Sequence, residues 1–453
     1  MTTTARPTLP IRQESVQAKL AWLVMVVAFA VFCVMCLASA LGLNYFLFDS
    51  TIPINAVVAV GRGTAGLTTT DLNETFVRSQ RSITNNSVVS TDGLSQATLS
   101  FSDPLQPEIL LASVTLFGNT SLDINQMTRP RFEWSSRGNE IVLEHVSGTV
   151  DVFIPGSERE LNIRLTADDG TAVFLQDTGQ FSVQVTPQQI RVLNQGGRAD
   201  IVSAQSGESQ TVGVGQRGLY YPANDQFLLL PGLLNLANPN GDDLFAMAAE
   251  GTLEAESSPA LGCFNTADDP QTTGAFVFSE ELGRSTVRFV RGGGAQSHGE
   301  TGCALTFGAG GINVTNYSSL ILRAVFRIDN QSLSLCGQLG SECPLMLRVD
   351  YIPVNGQPAS IWYHGFYAKQ DAAYNYPARC DTCSTEHEGV NPGAWFIYQS
   401  DNLFSLLPPN LHPTSILNIR FYASGHEYDV FVDDIALFAG EVDPTPPALA
   451  STE

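Results

Sequence analysis

Two hydrophobic patterns divide the chain. Residues 20–43, LAWLVMVVAFAVFCVMCLASALGL, run for twenty-four positions without a charge. As a helix rising about 1.5 Å per residue this run spans roughly 36 Å, enough to cross a hydrocarbon core of about 30 Å with some tilt. From residue 55 the pattern becomes short alternating runs parted by turn residues: SQATLSF (95–101), ILLASVTLFG (109–118), EIVLEHV (140–146), TVDVFI (149–154) and ELNIRLTA (160–167). In GTAVFLQDTGQFSVQV (170–185), Phe181, Val183 and Val185 fall on one side and Ser182 and Gln184 on the other. A period of two with no helical periodicity, and roughly ten residues per strand, predicts an all-β sandwich or barrel.

The rhythm breaks at YPANDQFLLLPGLLNLANPNGDDLFAMAAE (221–250), which reads as a connector carrying an apolar patch. Strand patterns resume in TVRFV (286–290), SLILRAVFRI (319–328), LMLRVDYI (345–352), ASIWYHGFY (359–367), ILNIRFYA (416–423) and YDVFVDDIALF (428–438). The expected fold class is all-β: an N-terminal transmembrane helix followed by two tandem domains of β-sandwich or jelly-roll type. The expected organisation is a cytoplasmic tail (1–19), the transmembrane helix (20–43), a first β domain (55–220), a connector (221–250), a second β domain (251–440) and a disordered, Pro-rich acidic tail (441–453).

Charge sets the orientation. Arg6, Arg12 and Lys19 stand against Glu14 before the apolar run, whereas Asp49 is the first charge after it and Arg62 the first cation. The positive-inside bias therefore places the N-terminus in the cytoplasm and the bulk outside, in a single-pass protein of the cell membrane. A cleaved signal peptide is the rival, because Ala38-Ser39-Ala40 fits a cleavage site. The apolar run is longer than a usual signal core and NYFLF continues it, which favours the anchor. Either way the bulk lies outside. The formal charge of −22 offers no basic stripe and argues against nucleic acid as a partner.

Cys33 and Cys36 lie in the apolar run. The other six, Cys263, Cys303, Cys336, Cys343, Cys380 and Cys383, are confined to the second β region. Outside the cytoplasm this predicts disulfides, and proximity favours 263–303, 336–343 and 380–383. Cys380-Asp-Thr-Cys383 with His387 is also a partial zinc set, lacking the second cysteine pair that a structural zinc wants.

Three pieces of the first β region resemble the FecR family of membrane-anchored extracytoplasmic domains: STDGLSQATLSFSDP (90–104), VSGTVDV (146–152), and DTGQFSVQV leading through RVLNQGGRADIV to VGVGQRGLYY (212–221). Gly179, Gly196 and Gly215 sit in it where turns need positive φ or no side chain. The resemblance implies a sensor listening to an envelope partner through its external β domain. The family's cytoplasmic regulator domain has no counterpart, since about nineteen residues are too few to fold. The second β region is similar to galactose-binding-type jelly rolls used by many carbohydrate-binding modules, on AFVFSEE (275–281), GGGAQSHGETGCALTF (292–307) and HEYDVFVDDIALF (426–438).

Candidate chemistry follows from these readings. Sugars stack C–H faces on aromatic rings, so Trp362, Tyr363, Tyr367, Tyr376, Trp395 and Tyr398 are the candidate ligand-binding residues. Asp268, Asp269, Asp433 and Asp434 are candidate oxygen ligands for a structural calcium between first and last strands. Gly61-Arg-Gly63-Thr-Ala-Gly66 matches GxGxxG, but LTTTDLNET follows where a dinucleotide site needs a helix, so it reads as a β-turn. No nucleophile elbow, HExxH or Ser-x-x-Lys pattern is present, and the six histidines are scattered, so no enzyme is expected. The expected function is a membrane-anchored, non-catalytic binding protein for a glycan or envelope polymer. The alternatives are a FecR-like signalling subunit and a structural envelope protein.

Overall fold

A computed structural model describes residues 16–69, 74–241, 243–253, 259–337, 340–371, 378–379, 383 and 385–444. Most of the expected cytoplasmic tail, Tyr376, Cys380 and residues 445–453 lie outside the described residues. The chain divides into two compact units: one holds the N-terminal helix up to Ile52 with the loop Arg129–Gly138, the other holds Pro53–Thr128 and everything from Asn139 on.

The first unit is built on the helix Val16–Asn44, whose end widens into a π-helical turn, Tyr45–Asp49. It is long and apolar enough to cross a membrane, and none of it is covered by protein. The second unit is all β, apart from short helices such as Leu244–Glu250. Its two larger hydrophobic cores lie between residues 54 and 220 and between 236 and 439.

The first core is enclosed by a flattened barrel whose two faces share one strand, Asn139–Ile154. Its first half pairs with Ser121–Pro130 and, in parallel, with Leu161–Thr166. Its second half pairs with Leu110–Leu116 and Gly179–Val185. The hairpins then alternate between faces. Leu161–Thr166 with Ala172–Gln176 lies in one, Gly179–Val185 with Ile190–Asn194 in the other, and the next two hairpins repeat the alternation. The shared strand changes face at Gly148, which has φ +93° and whose Cβ would lie 2.5 Å from Thr120 Oγ1 and 2.6 Å from the Asn119 carbonyl. Only glycine fits that corner. A second close approach lies at Gly179, where a Cβ would sit 1.9 Å from the Gly196 carbonyl oxygen.

The segment 221–250 is divided rather than independent. Gln226–Pro231 finishes one face of the barrel by pairing with Gln216–Tyr221. Leu234–Asn235 instead pairs with Tyr428–Gly440 of the second core, into which Phe245 is also buried.

The second core is a sandwich. One sheet orders Ala275–Glu281, Arg284–Arg291, Tyr428–Gly440, Ser319–Gln331 and Phe396–Gln399. The other orders Ala260–Ala267, Gly299–Thr306, Pro413–Gly425, Leu345–Pro353, Ser360–Tyr367 and Glu388–Gly389. Leu322, Phe326 and Val432 of the first interleave with Leu347, Phe366 and Phe421 of the second. Cys263 bonds Cys303 across paired strands, and Cys336 bonds Cys343 across a short hairpin. Cys383 is also disulfide-bonded, so its sulfur is no thiolate for zinc. Cys33 and Cys36 are free thiols.

Gly148→Ala is expected to lower stability by roughly 1–3 kcal/mol, the cost of a strained φ plus a backbone clash. The shift of the urea midpoint of the full-length protein in detergent measures it.

Candidate functional site

Polar alternation puts hydroxyls, amides and charges on the outward face of each core's inner sheet, and these two outward faces meet. In the barrel the face carries Gln96, Thr98, Ser113, Thr115, Asp151, Ser182 and Gln184. In the sandwich it carries Arg284, Ile321, Arg323, Asp433, Asp434 and Ile397. Several of these polar residues are buried outright: Arg323 is 3% exposed and Asp151 6%. Burial of an uncompensated charge is costly, so each must find its opposite.

Arg323 does so from both sides, with Nη2 3.3 Å from Asp151 Oδ1 of the barrel and Nη1 on Asp434. Arg284 pairs with Asp433, donates to Ser113 Oγ at 2.9 Å and lies 4.1 Å from the Phe153 ring centre. Adjacent strand residues normally point to opposite faces. A register shift opposite Val325 and Phe326 leaves Asp433 as an extra residue, so both neighbouring carboxylates reach arginines on one face. Burial pushes both Asp433 and Asp434 above the usual carboxylate range, and the arginines oppose the shift.

Gln96 adds a directional contact. Its side-chain oxygen accepts from the Ile397 N–H at 2.8 Å and its nitrogen donates to the Ile397 carbonyl at 2.9 Å. The amide thereby completes the open side of the edge strand Phe396–Gln399, which would otherwise leave those groups unpaired.

Between the polar faces lies an open cleft of about 550 Å³. Ser182, Gln184, Arg191 and Gln195 line the barrel side; Gln399, Asp401 and Asn402 line the sandwich side; Phe117, Ile321 and Phe438 add apolar surface. Ser182 and Gln184 are the polar positions of the alternating stretch 170–185, and their neighbours Phe181, Val183 and Val185 fill the barrel core.

At one end of the cleft, Arg62 pairs with Glu388, whose Oε1 is 3.3 Å from Nε2 of buried His364. Nδ1 of His364 is 2.9 Å from Thr385 Oγ1. Burial works against ionising Glu388, but the His364 hydrogen bond and the charges of His364 and Arg62 outweigh it and hold its carboxyl below the ordinary value. Nearby, His387 Nδ1 accepts from the Gly365 N–H at 2.9 Å. Burial, with the adjacent His364, lowers the His387 pKa to about 4, so it is neutral at pH 7.

The aromatic candidates separate. Trp362 and Tyr398 are core residues, not exposed platforms: Trp362 is 1% exposed, and the two rings sandwich His364 in a stack across the sandwich, with centres 5.9 and 4.7 Å from it. Tyr398 still borders the cleft, and burial raises its hydroxyl pKa. Tyr363 is half-buried beside Arg348, and Tyr367 packs on the Cys336–Cys343 cluster. Trp395 is half-buried where barrel and sandwich meet, within 5.6 Å of the guanidinium carbons of Arg284 and Arg327.

The calcium candidates also part company. Asp269 caps the turn Pro270–Thr272 by accepting from the Gln271 N–H, and Asp268 follows the outermost strand of the far sheet. Asp433 and Asp434 belong to the other sheet and already face guanidinium cations, which exclude a second cation from the same oxygens.

Sequence reasoning passed over Gln96, Asp151 and Arg323. The available signal, for Asp151 and Arg323, was a charge inside an apolar strand, Asp151 in TVDVFI and Arg323 in SLILRAVF.

No family model matches the chain and no curated protein matches it. Among solved structures it is similar to a protein described as an anti-sigma factor from Parabacteroides distasonis ATCC 8503, at 12% identity and TM-score 0.24, over 32% of this chain and 59% of that one. The chain thus spans about three-fifths of that protein. It is also similar to the family 11 carbohydrate-binding module of a Clostridium thermocellum cellulosomal cellulase (11% identity, TM-score 0.23, 42% of this chain and 94% of that one). A third is the CBM22-1 xylan-binding domain of Paenibacillus barcinonensis Xyn10C (11%, TM-score 0.21, 40% and 87%). At these scores the similarities decide neither fold nor function for this chain.

Arg323→Ala is expected to cost about 3–5 kcal/mol, because two buried carboxylates lose their cation. Adding Asp151→Ala should recover part of the loss, and denaturation of both variants reads it. His387 gives a pH dependence. Its folded pKa of about 4 lies below the ordinary 6.5, so between these values the unfolded chain binds the extra proton. Stability should therefore fall as pH drops from 6.5 to 4, by about 3 kcal/mol in total. His387→Asn should flatten that decline in denaturation curves taken across the window.

Proposed function

We propose that this chain is a single-pass, membrane-anchored binding protein that holds a glycan or other polyhydroxylated envelope polymer in the cleft between barrel and sandwich. The bulk of the protein lies outside the cytoplasm in this reading. The observation that carries it is the lining of the cleft: Ser182, Gln184, Gln195, Gln399 and Asn402 supply amides and hydroxyls. Such groups match sugar hydroxyls as paired donors and acceptors, while the half-buried Phe117 can face the sugar's C–H surface. Arg62, Arg191 and Arg323 are already paired with Glu388, Asp443 and Asp151, which favours a neutral polar ligand over chemistry by these groups.

The site in this reading is not the aromatic cluster around Trp362. An envelope protein is the competing occupant, and a panel of polysaccharides and cell-wall glycans separates the two. Full-length protein in detergent should be retained on at least one polymer. Gln184→Ala should weaken retention by roughly tenfold, the worth of about one to two hydrogen bonds, whereas Tyr363→Phe should leave it unchanged. Loss of function confined to Tyr363, or no retention by folded protein on any polymer, would overturn the assignment.

A further inference from the structure

Lys19 and Asp49 bracket twenty-nine uncharged residues, which as a helix extend roughly 43 Å. A hydrocarbon core is about 30 Å thick, and the whole bilayer with its headgroups about 40–45 Å. A span centred near residue 34 leaves the core about ten residues to either side. Tyr45, Phe46, Leu47 and Phe48 then fall in the headgroup layer.

The loop Arg129–Gly138 is fastened to this stretch. Trp134 Nε1 donates to the Leu47 carbonyl at 3.1 Å and Ser135 Oγ to the Phe48 carbonyl at 2.9 Å. Arg137 pairs with Asp49 at 2.9 Å, and the Arg131 N–H donates to the Ser50 carbonyl. The rings assemble too: Phe132 stacks on Trp134 with centres 4.6 Å apart and meets Phe46 edge-on at 5.4 Å. Yet Trp134 remains 61% exposed, and Tyr45, Phe46 and Phe48 are exposed beside it. An indole whose N–H is satisfied inward while its ring faces outward suits the boundary between water and acyl chains. Arg131, over the Phe46 ring at 5.6 Å, adds a cation at headgroup depth.

We propose that the loop 129–138 and the turn Tyr45–Asp49 form an aromatic collar that inserts into the headgroup layer of the bilayer, on the side where the helix leads into the β unit. Its occupant is the lipid surface, because the exposed rings continue the apolar surface of the span itself. The proposal rests on the helix remaining as an anchor, and the test separates the two. Full-length protein is reconstituted in phosphatidylcholine vesicles whose acyl chains are brominated near the headgroup or near the chain ends. Tryptophan quenching is then compared between wild type, Trp134→Phe and Trp22→Phe.

Trp22 emission reports the span, and its quenching shows that the helix is inserted. The Trp134 contribution, wild type minus Trp134→Phe, should be quenched more by shallow than by deep bromines. Trp22→Phe should retain that shallow-quenched component, which gives a second reading if Trp134→Phe folds poorly. Quenched Trp22 with unquenched Trp134, or Trp134 quenched more by deep bromines, would overturn the collar. Absence of any quenching of Trp22 would overturn the anchor, and the collar with it.

Discussion

Arg323 is the residue on which the β unit depends. Its guanidinium is buried at the junction of barrel and sandwich, and its neutralising carboxylates come from both, Asp151 from one and Asp434 from the other. A buried cation tolerates few alternative arrangements, because each misplacement leaves a charge without its partner in a low-dielectric environment. An apolar junction could slide over several registers at small cost. An ionic one selects a single register, which is a matter of specificity more than of net stability.

The same requirement shapes the cleft. Facing polar surfaces cannot close into a dry core unless every group is paired, and here the pairing runs out where the faces diverge. Gln96, Arg284 and Arg323 find partners across the junction. Where Ser182, Gln184 and Gln399 face one another across open space, water or a ligand must satisfy them. Paired contacts and open cleft are two outcomes of one polar surface. The Arg62–Glu388–His364 chain at the end of the cleft belongs to both, since it joins a barrel strand to the sandwich's short edge strand.

The unit that holds the N-terminal helix solves a different problem. The loop 129–138 links two paired barrel strands and holds the end of the helix through carbonyls that the helix leaves unpaired, those of Leu47 and Phe48. A helix end carries orphan acceptors, and a tryptophan and a serine from a distant part of the chain supply the donors.

Local chemistry made much of this protein legible in advance. The uncharged run 20–43 is too long and too apolar for a soluble β protein, so the helix follows from hydropathy alone. Period-two alternation assigned Phe181, Val183 and Val185 to a core, and short sequence separation suggested the 263–303 and 336–343 disulfides that the structure contains. Alternation tells only which residues share a face. It does not tell what covers that face. Ser182 and Gln184 read as lying on the face opposite Phe181; whether that face met water or a cleft was decided by a surface more than a hundred residues away. Trp362 is buried against its own strand neighbour His364, and it is the stacking of His364 on Tyr398 of the other sheet, a contact that the linear order keeps apart, that closes this cluster. The elements are local properties of the chain. The junction, the cleft and the collar are pairings between distant segments, and only tertiary structure brings those together.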